Sequence, residues 1–218
     1  MEMNIAVIPG DGIGPEITTA AIIVLEAIAE KYGHVLNLQY VKACSQSVEE
    51  SGEPLPKEAL ETCLQADAVL LGNTGLEKYK NLPLSKRPEY ALLKLRKELK
   101  VTTNIRPVHV YPELKLLSPL NQNALSKGLD YLFVRDIAGG VLCSDQVKGE
   151  GENGPEAYEY EYYNQKIVEE TAGFAFELAK ARKGKVVSLD KANVLGSSRL
   201  WRKTVTEIGK EYPEVELT

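Results

Sequence analysis

The chain of 218 residues is 44% hydrophobic and 26% charged, enough apolar material for one large core or two modest ones, which excludes a disordered chain. Its 26 Lys and Arg against 31 Asp and Glu leave a net charge of -5, which argues against nucleic acid as a partner, and no apolar run approaches a membrane span. Cys44, Cys63 and Cys143 lack C-x-x-C spacing and nearby histidines, and no basic-then-apolar leader opens the chain, so a reducing cytoplasm is the expected compartment.

Short β-rich runs alternate with amphipathic helical ones, which predicts an α/β protein with helices covering a largely parallel sheet. Asn4 to Ile8 reads as a buried strand, followed by the glycine-rich turn Pro9 to Gly14. Pro15 suits the first position of a helix because it has no N–H to leave unpaired. In that helix Ile17, Ala20, Ala21, Val24, Leu25 and Ile28 keep a helical period and are expected to face the sheet, with Gly33 as a left-handed terminator. Further strands are expected at Leu36 to Val41, Ala68 to Leu71, Ile105 to Tyr111, Tyr131 to Val134 and Val186 to Leu189, and at Glu214 to Thr218.

Between Gly149 and Asn164 the pattern breaks into AYEYEYYN, where Tyr158, Tyr160 and Tyr162 alternate with Glu159 and Glu161. Period two predicts a strand, and so many tyrosines favour a subunit contact over a bare sheet edge. Two helices follow. Ile167, Thr171, Phe174 and Leu178 are expected to line the first, which Gly184 ends, and Trp201, Val205 and Ile208 the second.

Several stretches could carry chemistry. Gly10, Gly12 and Gly14 form G-x-G-x-G rather than the dinucleotide fingerprint G-x-G-x-x-G, so a tight turn and a ligand contact at a helix N-terminus remain equally open. In RPEYALLKLRKEL, Glu89, Leu92, Leu93 and Arg96 fall on one helical face. Such a face is either that of an ordinary amphipathic helix or a surface for a small molecule with an apolar branch and a carboxylate. Arg106 and Arg135 sit in or beside apolar strands, where a charge is costly unless it is paired, and three such arginines suit a substrate with two carboxylates. Lys191 follows an expected strand and precedes a helix, the place where ligands gather in open α/β sheets. It reads either as a general base or as a surface lysine beside Asp190.

Taken together, PGDGIGPEI, RPEYALLKLRKEL, NIRPV, VRDIAGG and LDKANVL resemble, in order and spacing and over the whole chain, the β-decarboxylating dehydrogenases of the isocitrate/isopropylmalate dehydrogenase family. The resemblance implies two α/β domains of that fold, one at residues 1–100 and incomplete, the other at 101–218 with a dimer-contact arm near 150–164. The aliphatic pair Leu92 and Leu93 resembles the isopropylmalate branch, which implies NAD-dependent oxidative decarboxylation of 3-isopropylmalate in leucine biosynthesis. Arg96, Arg106 and Arg135 would then bind the malate carboxylates, with Glu89, Leu92, Leu93 and Val194 completing the substrate pocket. Lys191 would act as base in the neighbouring subunit's site of a homodimer. Ile13, Thr74, Leu76, Glu89 and Asn193 would approach NAD, and Mg2+ or Mn2+ would be held by aspartates expected beyond residue 218.

Against the family pattern, Leu142 stands where a catalytic tyrosine is expected, and leucine has no proton to donate. The stretch Gly75 to Lys80 replaces G-G-P-K-W-D without its Pro and Asp. These departures, and a chain ending early for the family, point to a truncated sequence whose activity alone is doubtful. A malate- or tartrate-type relative and a degenerate ligand-binding paralogue are the alternatives.

Overall fold

The unbroken apolar run Ile5–Ile8 forms the middle of a sheet covered on both faces. In the computed structural model, which describes residues 1–121, 123, 125, 128–143 and 147–218 (Leu142 by its backbone alone), β1 (Glu2–Gly10) pairs in parallel with β2 (Val35–Tyr40) and β3 (Ala68–Asn73). The strand order is β2-β1-β3. Ile5 and Val7 pack with Ile22 of α1 (Gly14–Tyr32). Ala6 and Ile8 point the other way, into a cluster with Cys44 of α2 (Cys44–Ser51), Ala59 and Cys63 of α3 (Lys57–Gln65), and Ala91 and Leu95 of α4 (Tyr90–Glu98). Side-chain alternation along one strand thus feeds two cores.

The first helix begins at the expected proline and ends at Gly33, whose φ of 65° lets its N–H reach Glu30 and Ala29. Its buried face is not the expected one. Gly14, Thr18, Ile22 and Ala29 lie on the sheet, whereas Ile17, Val24 and Ile28 remain 43%, 58% and 45% exposed. Close approach contributes: a β-carbon on Gly72 would lie 2.5 Å from the Thr18 hydroxyl, so a small residue stands on the strand there, while Ile22 fills the space against Ile5 and Val7. Ile17, Val24 and Ile28 turn outward.

The chain divides into two compact units, Met1–Lys100 and Val101–Thr218. In the second, β4 (Thr103–Val110) and β5 (Leu129–Asp136) run antiparallel, with Thr103 opposite Asp136 and Val110 opposite Leu129. This corrects the expectation of a largely parallel sheet for this half. Between these strands the described residues hold only the short 3-10 stretch Pro112–Leu117, and a parallel return needs a longer crossover. A hairpin of β6 (Val147–Gly151) and β7 (Gly154–Tyr158) follows. The expected tyrosine strand ends at Tyr158, and residues 159–164 make no ladder, because the Gly140 N–H is bound to the Tyr162 carbonyl across a loop instead.

Helix α5 (Gln165–Lys180) starts where the Asn164 side chain accepts the Ile167 N–H, and packs with α6 (Gly196–Gly209). Val168, Ala172, Phe176 and Ala179 form its core face; of the expected residues Thr171 is buried and Ile167 and Leu178 half-buried, whereas Phe174 is exposed. Both faces satisfy the helical period. The one that alternates large and small side chains closes on Val205 and Val215. Of the expected strand Val186 to Leu189 only β8 (Lys185–Val186) forms a ladder, in parallel with β9 (Glu216–Leu217). Glu214 to Thr218 is correspondingly shorter as a strand than expected.

Gly10 has φ 75°, and a β-carbon there would lie 1.9 Å from the Asn73 carbonyl oxygen. Gly10→Ala is therefore expected to lower stability by about 2–4 kcal/mol, from backbone strain and the forced separation of β1 from β3, as read by urea unfolding.

Candidate functional site

In the first unit the residues expected to meet a cofactor converge on one aspartate. Asp11 is 2% exposed, and its carboxylate accepts the Ser45 N–H at 2.8 Å and the Gly75 N–H at 2.6 Å. These bonds tie the glycine turn to the loop after β3. Gly12 faces Leu76, and Gly75, at φ 98°, leaves room for the Glu89 carboxylate, whose Oε1 would lie 2.4 Å from an added β-carbon. Ile13 is exposed at the start of α1, and Thr74 and Leu76 are half-buried. The other oxygen of Glu89, Oε2, is buried with no hydrogen-bond partner. An orphaned buried acceptor beside a glycine-lined helix N-terminus fits a ligand offering a donor and phosphates, as NAD does.

On α4 the core takes Ala91 and Leu95, leaving Leu93 exposed and Leu92 and Arg96 half-buried. An ordinary amphipathic helix would bury its leucine pair. Here Glu89, Leu92, Leu93 and Arg96 stand off the core, and Arg96 makes no ion pair or hydrogen bond among the described residues.

In the second unit, register decides the geometry. Asn104 lies opposite Arg135, and Arg106 opposite Phe133. Opposite residues of an antiparallel pair share a face, so the two arginines are diagonal neighbours on one face of the ladder. Both line a cavity of about 530 Å3, together with Asp136, Tyr163, Asp190 and Trp201. Arg106 Nε donates to Asn104 Oδ1 at 2.9 Å, and neither arginine has an acidic partner among the described residues. Adjacent like charges without a counter-ion repel, which is the signature of an anion site.

The nearby carboxylates are already engaged. Asp136 accepts the Ala138 and Gly139 N–H groups at 3.1 and 2.9 Å and the Thr171 hydroxyl at 3.5 Å. Asp190, with its side chain 5% exposed, accepts a forked pair from Arg202 at 2.8 and 2.7 Å and the Ala192 N–H at 2.9 Å. Arg202 first, then that N–H, holds Asp190 below the usual carboxylate range. Lys191 is exposed, and its amine has no partner among the described residues, so it is not the lysine of an Asp190 ion pair. Asn193 and Val194 are exposed on the same turn. The Leu142 side chain lies outside the described residues. Among the described residues no three His, Cys, Asp or Glu cluster as metal ligands would.

Sequence reasoning passed over Asp11, Asp136, Tyr163, Asp190 and Arg202. The available signal was an aspartate at or just after the end of three strands, where free N–H groups need acceptors.

Tyr163 yields a pH test. Burial foremost, then the Asp136 and Glu161 charges, push its phenol up to about 12. The stability it contributes is complete below its unfolded value of about 10 and is lost as pH rises from there through about 12. Unfolding free energy is expected to fall more steeply over that window in the parent protein than in Tyr163→Phe, measured by denaturant titration.

The sequence model described as isocitrate/isopropylmalate dehydrogenase matches residues 4–218. The 3-isopropylmalate dehydrogenase of Clostridium pasteurianum is 48% identical over 217 residues, covering 100% of this chain and 61% of the relative. That of Thermotoga maritima is 46% identical over 217 residues, covering 99% and 60%. Among solved structures, a beta-decarboxylating dehydrogenase from Thermococcus kodakarensis is 30% identical with a TM-score of 0.74, covering 99% of this chain and 56% of that one. Isocitrate dehydrogenase from Methylococcus capsulatus is 26% identical with a TM-score of 0.72, covering 99% and 59%. The chain thus spans about 60% of the length of the curated relatives it matches.

Proposed function

The chain belongs to the isocitrate/isopropylmalate dehydrogenase family, and on that premise we propose that this protein oxidises and decarboxylates 3-isopropylmalate with NAD, as a cytoplasmic homodimer serving leucine biosynthesis. The observation that carries the reading is the pair Arg106 and Arg135, set on one face of a ladder without acidic partners in the cavity that Asp190 lines. Two forked cations side by side suit a dicarboxylate.

Each residue has a task in this proposal. Arg106 and Arg135, with Arg96, bind the two carboxylates. Leu92, Leu93 and Val194, left off the cores, receive the isopropyl branch. Lys191, whose amine has no partner among the described residues, takes the hydroxyl proton of the substrate in the neighbouring subunit's site. Ile13, Thr74, Leu76, Glu89 and Asn193 hold NAD, which when bound accepts hydride from the carbon bearing that hydroxyl. Mg2+ or Mn2+ belongs to the proposal as the family's cofactor, with no ligand set among the described residues. With leucine at position 142, the proton returned to carbon after decarboxylation comes from another group or from water. The tyrosine-rich segment 158–162, exposed and without a ladder beyond Tyr158, is the proposed subunit contact.

The test is steady-state formation of reduced NAD with a panel of 3-alkyl malates. A preference for 3-isopropylmalate is expected, and a clear preference for unsubstituted malate overturns the assignment. Arg106→Gln and Arg135→Gln are each expected to raise KM about 10- to 100-fold, the loss of roughly 1.5–3 kcal/mol of charged hydrogen bonding. Lys191→Met is expected to lower kcat by about 100-fold or more with little change in KM.

A further inference from the structure

The turn that bears Lys191 is held almost entirely from one side. Trp201 Nε1 donates to the Ser188 hydroxyl at 3.1 Å, and Arg199 Nη1 reaches the carbonyls of Ala192 and Val194 at 3.3 Å each. Arg202 binds both oxygens of Asp190. All three side chains come from α6, and they grip residues on either side of Lys191 without touching its amine. A point charge could neutralise Asp190, but the guanidinium fork also fixes the plane of that carboxylate, which in turn caps the Ala192 N–H.

We propose that Arg202 is a positioning residue for Lys191: by occupying the Asp190 carboxylate it denies the adjacent lysine an ion-pair partner and keeps its amine free to accept a proton. The other carboxylates of the cavity that Asp190 lines do not supply that partner among the described residues. Glu161 accepts the Ser197 hydroxyl at 2.7 Å, and Asp136 is engaged by two N–H groups and the Thr171 hydroxyl. Removing the Arg202 guanidinium releases Asp190 toward its neighbour, and the ammonium form of Lys191 gains a counter-ion.

The proposal rests on reading Lys191 as the base, but its test does not require turnover. Acetylation of Lys191 by acetic anhydride, followed by peptide mass spectrometry and normalised to the other lysines, reports the free amine at a given pH. Arg202→Gln is expected to slow it roughly 3- to 10-fold at about pH 8, as one nearby charge pair would. The double variant Asp190→Asn with Arg202→Gln is expected to restore the parent rate. Arg202→Lys, which keeps charge and loses the fork, is expected to fall between, and it serves if Arg202→Gln does not fold. An unchanged or faster rate in the folded single variants overturns the proposal, as does slowing that persists in the double variant. If instead Lys191→Met leaves turnover intact, the base assignment fails while the acetylation result stands.

Discussion

Three aspartates at the ends of strands determine which charges in this molecule remain available. Asp11 after β1, Asp136 at the end of β5 and Asp190 beyond β8 each accept at least one backbone N–H from the turn that follows or from a neighbouring loop. A carboxylate used in this way shapes a turn and is no longer free to neutralise a neighbouring base. Arg135 immediately precedes one of these aspartates and Lys191 immediately follows another, and neither is paired with it. In the sequence, Arg135 and Lys191 each have an acid as their immediate neighbour. The fold separates them by giving the acid to the backbone or to Arg202 and leaving the base exposed.

That separation explains what could and could not be read in advance. The strand β1, the glycine turn, the proline entry to α1 and the glycine exit at Gly33 follow from local backbone requirements, and local composition expresses them directly. The faces of α1 and α5 are a different matter. Each helix carries apolar side chains around more than one stripe, and the choice between stripes is made by partners distant in sequence, such as Gly72 against Thr18. Periodicity offered both stripes and could not rank them. Tyrosine alternation misled in the same way, since extended backbone without a neighbouring edge also has period two.

The candidate site was more legible than the packing, for an energetic reason. A cation within a β-rich apolar segment or on an otherwise aliphatic helical face is costly unless something compensates it. Arg106 and Arg135 stood out on that ground, Arg96 by sharing a helical face with Glu89, Leu92 and Leu93, and none of the three arginines has an acidic partner among the described residues. By contrast, Arg202 lay on a polar stretch of an ordinary helix and gave no local sign of its attachment to Asp190, twelve residues away. An uncompensated charge leaves an imbalance visible in one dimension. A charge compensated by a partner distant in sequence becomes visible only in three.

The chemistry of Arg106 carries this one step further. Its Nε–H is donated to Asn104, two residues earlier and on the same face, so rotation about the end of the side chain is restrained and the two terminal nitrogens are left without a partner among the described residues. Lysine at that position would keep the charge, but with all its donors on one nitrogen it could not be held by Asn104 and present a planar fork at once. The orientation of that guanidinium therefore depends as much on a neutral amide as on the cation itself, and the antiparallel register of β4 against β5 sets that amide opposite the second arginine, Arg135.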